Sequence, residues 1–347
     1  MKVRQAIVSA VASTLAASAA FAGPELRWEQ LAPLPDAHGF AGAFAGVSGG
    51  ALLVAGGANF PDHKPWEGGA KVWHDRVFAL ERPDGAWREV GKLPSPLGYG
   101  ASVSHERGLV CIGGSNARGH SESVRILRYA KSRLEMEPLP DLPQPCANMS
   151  GALVGQTIYV AGGIGTPTAT QAMDSLFSLD LSSTKPAWRR LEPLPAPGRM
   201  FAVAGAHGDS FYVFGGAALK AGPDGSPLRE WLRDAYRYTP GKGWKRLADL
   251  PRPAVAAPSP APVLNGRLLV LGGDDGTQVN SLPTAHKGFP REMLAYDPKA
   301  DRWTSIGEGP FSLVTTPAVE WSGRLVVPGG EVRPGIRSTE VWSTSAR

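Results

Sequence analysis

Residues 51–57 read ALLVAGG, an apolar run halted by two glycines. The unit returns as GLVCIGG (108–114), TIYVAGG (157–163), SFYVFGG (210–216), RLLVLGG (267–273) and RLVVPGG (324–330). The leading glycines, Gly56, Gly113, Gly162, Gly215, Gly272 and Gly329, are spaced 49 to 57 residues apart. A fixed period of this size marks a repeat architecture.

Working outward, most diglycines are followed by a second strand, a turn and a tryptophan: VFALERPDGAW to Trp87, LFSLDLSSTKPAW to Trp188, YRYTPGKGW to Trp244 and LAYDPKADRW to Trp303. A proline-rich connection comes next, such as PLP at 33–35, 138–140 and 193–195, then a small-residue apolar strand such as FAGAFAGV. Each unit thus offers four short strands bounded by turn signals. A four-stranded unit cannot hide both its faces, so six of them predict an all-β chain folded as a six-bladed propeller. The diglycine with a spaced tryptophan resembles the kelch repeat; the second unit departs from it, with Leu134 in the tryptophan position. LRWEQLAPLP, near the start, is a last strand without its unit, and TEVWSTSAR, at the end, is a third strand without a fourth. Residues 26–33 are therefore expected to complete the blade begun by residues 311–343 and so to close the ring.

Composition agrees. Of 347 residues, 43 are Gly and 32 Pro, which favours turns over long helices. Charged residues are 19% and hydrophobic ones 42%, enough for a sizeable core. The net charge of +5 is scattered, with no basic run, which argues against nucleic acid as a partner. Lys2 and Arg4, an apolar stretch over residues 6–17 and Ala20-Phe21-Ala22 make a secretory signal peptide over residues 1–22. That leaves one propeller domain over 23–347, no membrane span, and a periplasmic destination. Oligomeric state is left open. A disulfide between Cys111 and Cys146 is permitted there, although a buried free thiol is the plainer reading of Cys111. The seven histidines show no ligand spacing, and no metal or other cofactor is expected.

In a propeller, residues just after each diglycine and just before each innermost strand gather at one mouth of the axial channel. Glu331, Asn59, Asn116 and Asp274 belong to the first group; Arg199 and Tyr99 to the second. The long loops 58–76, 217–234 and 274–292 wall the same mouth, bringing Trp66, Lys71, Trp231 and His286 within reach of a ligand. Guanidinium groups grip carboxylates through paired hydrogen bonds, and a glutamate moves protons. The set suits an anionic, hydroxyl-rich ligand. On spacing alone, Glu331 and Arg337 fit equally well as a surface ion bridge worth about 0–1 kcal/mol.

GEVRPGIRS, residues 330–338, resembles the G-E-[AV]-[KR]-P-G-[LI]-R-[ST] signature of the N-acetylneuraminate epimerases, periplasmic sialic acid mutarotases. KLPSPLGYGASV, PLPAPGRMFAVAGAHGDSFYVFGG and LAPLPDAHGFAGAFAGVSGGALLVAGGANF resemble further segments of that family. The order is rotated: the signature, central in the usual members, is C-terminal here, as in a cyclically permuted branch. The resemblance implies proton transfer by Glu331 and ligand recognition by Arg337, with Arg199 helping. From their place at the mouth, Tyr99 or an ordered water is a candidate proton donor, and Asn59 and Lys71 are candidate ligand contacts. The resemblance also implies interconversion of the α and β anomers of an acidic sugar by ring opening and closure. A non-catalytic kelch module binding carbohydrate or protein is the alternative. A copper radical oxidase lacks its cysteine–tyrosine pairing here, and a sialidase lacks its repeated aspartate boxes.

Overall fold

The computed structural model describes residues 26–346; the expected signal peptide lies outside them. The described residues form six four-stranded antiparallel sheets, the blades of a propeller, plus two short two-stranded hairpins. Blade one is Phe44–Ser48, Ala51–Ala55, Arg76–Leu80 and Arg88–Lys92, in spatial order from the axis outward. Blades two to five repeat this order, starting from Ala101–His105, Ser150–Val154, Val203–His207 and Val263–Leu264. Blade six is Val319–Trp321, Arg324–Arg333 and Ile336–Ala346, completed by Leu26–Gln30 from the other end of the chain. Leu26 pairs with Ala346 and Gln30 with Trp342, so the two termini close the ring as expected. Among the described residues no helix is long and apolar enough to cross a membrane.

The apolar runs are continuous because a blade buries both faces. In Ala51–Ala55 every residue is buried. Leu52 and Val54 pack toward blade six with Val326 and Val341, while Ala51, Leu53 and Ala55 pack toward blade two with Leu109 and Leu127. Period-two alternation thus divides one strand between two neighbours. Among the described residues six such clusters fill the blade interfaces, one at each.

The repeated tryptophans staple blades together. The indole N–H of Trp87 donates to Ala32 O (2.7 Å), Trp188 to Pro140 O (2.8 Å), Trp244 to Glu192 O (3.0 Å) and Trp303 to Ala248 O (2.9 Å). Each acceptor belongs to the linker that leaves the preceding blade, so the recurrence is structural rather than sugar-stacking. Blade two fills the position with Leu134, which packs against Gly91 of blade one. Cys111 and Cys146 are free and buried, and burial raises both thiols, Cys146 to about 12.

Candidate active site

The mouth of the channel is built on backbone. The residue after each diglycine forms one antiparallel bridge with a residue ahead of an innermost strand: Ala58 with Ala41, Ser115 with Gly98, Ile164 with Ala147, Ala217 with Met200, Asp274 with Val255, Glu331 with Val314. Next in chain after those bridge partners come Gly42, Tyr99, Asn148, Phe201, Ala256 and Thr315, all left-handed, with φ between 54° and 66°. Their backbones form a closed circle of hydrogen bonds. Tyr99 N–H donates to Gly42 O, Asn148 to Tyr99, Phe201 to Asn148, Ala256 to Phe201, Thr315 to Ala256 and Gly42 to Thr315, at 2.6–2.8 Å. The five non-glycine members sit in a region that costs a side-chain-bearing residue energy; the circle holds them there. Six equivalent post-diglycine positions therefore surround a rigid collar, and only Asp274 and Glu331 among them are acidic.

Glu331 is fixed from both sides. Its N–H donates to Val314 O (2.9 Å) and its carbonyl accepts from Val314 N–H (3.0 Å). Gly330 before it has φ 113°, and a Cβ there would come 2.9 Å from Val314 O, so glycine is required for this approach. Blade six runs on past the diglycine as a long hairpin that turns at Pro334-Gly335, placing Glu331 directly opposite Arg337. Arg337 Nη1 lies 3.0 Å from Glu331 Oε1, and Gly335 N–H donates to the same oxygen at 2.8 Å. This is no surface bridge: the side chains are 16% and 3% exposed. Arg337 Nε donates to Ala58 O and Nη2 to Tyr99 Oη, each at 3.3 Å, and its guanidinium carbon lies 5.1 Å from the Phe60 ring centre. The arginine therefore sits behind the carboxylate and ties it to blade one and to the collar.

In front of the pair is a cavity of about 320 Å³, large enough for a single sugar, walled by Glu331, Arg337, Tyr99, Lys71, Arg229 and Asp274 with Phe60 and Phe289. Tyr99, Phe201, Ala256 and Thr315 also line a smaller axial cavity of about 70 Å³. Lys71 is an exposed residue, and its Nζ lies 4.9 Å from the Tyr99 ring centre, 5.5 Å from Trp73 and 5.9 Å from Phe60. Desolvation in this aromatic setting, reinforced by the Arg337 charge, lowers its pKa, while Glu331 opposes the shift. Burial pushes the Tyr99 hydroxyl up to about 12. Because guanidinium can only donate, Tyr99 Oη accepts from Arg337 and keeps its own proton free.

Two expected contacts are not brought to this cavity. Asn59 is one residue beyond Ala58, the blade-one equivalent of Glu331, and a one-residue step along a strand reverses the face. It is buried instead in a polar network, donating to Asp36 Oδ1 (3.3 Å) and Gly39 O (3.1 Å) and facing His74 Nε2 across 2.9 Å. Arg199 lies two residues before Phe201 of the collar. Its carbonyl accepts from Gly163 N–H as the carbonyl of Leu97 does from Gly57, so Arg199 occupies the slot that holds Phe40, Leu97 and Cys146 in other blades. The side chain is 1% exposed and is consumed by a bidentate pair with Asp234 (2.7 and 2.9 Å) and by Gly215 O. Of the loop residues, Trp66 lies under Gly335, His286 is buried, and Trp231 donates to Asp274 Oδ2 at 3.0 Å. Arg229 was missed; its signal was the turn sequence GPDGS, which joins Ala217–Ala221 to Pro227–Trp231 as a hairpin leaning over the mouth.

Fold and site together define a six-bladed propeller with a carboxylate and protic groups around an axial, sugar-sized cavity. The family model described as N-acetylneuraminate epimerase matches residues 6–136 and 139–282. The chain belongs to that family. It is 30% identical over 226 residues to an N-acetylneuraminate epimerase of Haemophilus influenzae (strain PittEE), which covers 58% of this chain and 57% of the relative. It is 32% identical over 234 residues to one of Yersinia enterocolitica (serotype O:8 / biotype 1B), covering 59% and 57%. The chain thus spans little more than half the length of these curated relatives. Lys71, Tyr99 and Arg229 fall inside the segments matched by the family model, and the Glu331–Arg337 hairpin falls beyond them.

Proposed function

We propose that this protein is a mutarotase that interconverts the α and β anomers of N-acetylneuraminate or a closely related sugar acid. The observation that carries the reading is the Glu331 carboxylate, clamped by Arg337 and Gly335 at the wall of the axial cavity, with Lys71 and Tyr99 beside it.

The anomeric carbon of such a sugar carries a carboxylate, a hydroxyl and no hydrogen, so its anomers exchange only by opening the ring. Glu331 takes the proton of the anomeric hydroxyl as the bond from that carbon to the ring oxygen breaks. The electron pair leaves with the ring oxygen, which takes a proton from the Lys71 ammonium, and a ketone remains. Rotation of the ketone presents its other face. Reclosure reverses both transfers and restores Glu331 and Lys71. Lys71 is the better donor at neutral pH because its pKa is lowered toward the working range, whereas that of Tyr99 is raised. Arg337 acts on the base, setting its direction. The signal-like residues 1–22 fit export to a periplasm, where free sugar acids would be met.

One-dimensional NMR on freshly dissolved N-acetylneuraminate tests the reading. Wild type should speed anomer equilibration, and Glu331→Gln should remove roughly 10²–10⁴-fold of that acceleration with the fold intact. Saturable binding without acceleration by wild type would instead mark a binding module.

A further inference from the structure

Arg337 is paired by charge with Glu331 and donates to Ala58 and Tyr99, Arg199 is paired with Asp234, and their side chains are only 3% and 1% exposed, so neither arginine turns an open fork to the cavity. Arg229 does. It stands on the second strand of the blade-four hairpin, opposite Leu219, and lines the cavity wall. No ion pair to a carboxylate is formed by it among the described residues; its neighbour Glu230 is taken by Lys220. Both oxygens of the nearby Asp274 are engaged, Oδ2 by the Trp231 indole at 3.0 Å and Oδ1 by Gly276 N–H at 2.9 Å.

The hairpin has a rigid foot. Gly276 presses on the Trp231 indole so closely that a Cβ would come 2.7 Å from the ring, and the Arg229 guanidinium carbon lies 5.8 Å over the same ring. Tryptophan thus sets the cation's height above the mouth.

We propose that Arg229 grips the ligand's carboxylate and thereby sets a preference for sugar acids over neutral sugars. This rests on the mutarotase reading above. In a ring of six blades, blade four faces blade one, which carries Lys71. A tetrahedral anomeric carbon directs its substituents apart. When its hydroxyl and ring oxygens meet Glu331 and Lys71, its carboxylate diverges toward the opposite wall, where Arg229 supplies a planar fork.

The test compares Arg229→Gln and Arg229→Lys with wild type on N-acetylneuraminate and on its uncharged methyl ester. A lost charged hydrogen bond is worth roughly 10–100-fold in affinity. Arg229→Gln should raise KM for the acid by about that factor, with kcat changed less than about threefold and the ester unaffected. Arg229→Lys should restore part of the loss. An unchanged KM, or an equal rise for acid and ester, overturns the proposal, because a hairpin merely loosened would affect both. Should wild type accelerate neither, the mutarotase reading fails separately. Calorimetric affinities of the same proteins then decide the grip: selective loss for the acid supports it, and equal affinities overturn it.

Discussion

Glu331 and Arg337 stand directly across from each other on the two strands of the last hairpin, with Arg337 Nη1 3.0 Å from Glu331 Oε1. Six residues of sequence separate them, but the ladder makes them neighbours on one face. The closed circle of backbone hydrogen bonds then fixes where that face meets the axis.

If Arg337 works through Glu331, keeping its charge is not enough. Arg337→Lys retains a cation but loses the fork that reaches Glu331, Ala58 and Tyr99 together. The expected result is a fall in kcat on the order of 10²-fold with little change in KM, read by NMR anomer exchange. A rise in KM at constant kcat would show instead that Arg337 holds the ligand directly.

If Lys71 protonates the ring oxygen, the rate has an alkaline limb. A lowered lysine pKa means the ammonium is lost as pH rises through a value below the ordinary 10.5, and a neutral amine cannot protonate the ring oxygen. Glu331, Arg337 and Tyr99 beside it, and Arg229 and Asp274 across the cavity, share its field. Activity should therefore fall with rising pH in wild type, and the limb should move upward in Lys71→Arg. In Lys71→Met the limb should vanish, with a rate loss of about 10²–10⁴-fold. A limb that stays in place in Lys71→Arg assigns the proton elsewhere.

Arg199, fully buried, pairs with the half-buried Asp234 rather than facing the cavity. Removing one partner strands a charge, which costs about 3–5 kcal/mol. Asp234→Ala should lower unfolding stability in urea by that amount while leaving sugar affinity unchanged below the transition. Replacing both residues by leucine should recover most of the loss, since other blades fill the Arg199 slot with apolar side chains. A variant that loses affinity but not stability would return Arg199 to the site.

The propeller, its six blades and its closure by residues 26–30 were legible from the chain because each rests on local chemistry. Diglycine turns, apolar runs and tryptophan spacing recur whatever their neighbours do. The prominence of Glu331 was legible too, since it is the one glutamate that follows a diglycine of the repeat. Which arginine lines the cavity without a carboxylate partner was not. Arg199, Arg229 and Arg337 are alike as letters, and their fates depend on Asp234, on the Trp231 foot and on Tyr99, partners between 2 and 238 residues away in sequence. Face reversal over a single residue likewise took Asn59 from the mouth into a buried network. Sequence by itself determined the architecture, because repeats encode backbone turns and apolar faces locally. Only the tertiary structure decided which charges are neutralised and which stay open, because that depends on side chains meeting across blades.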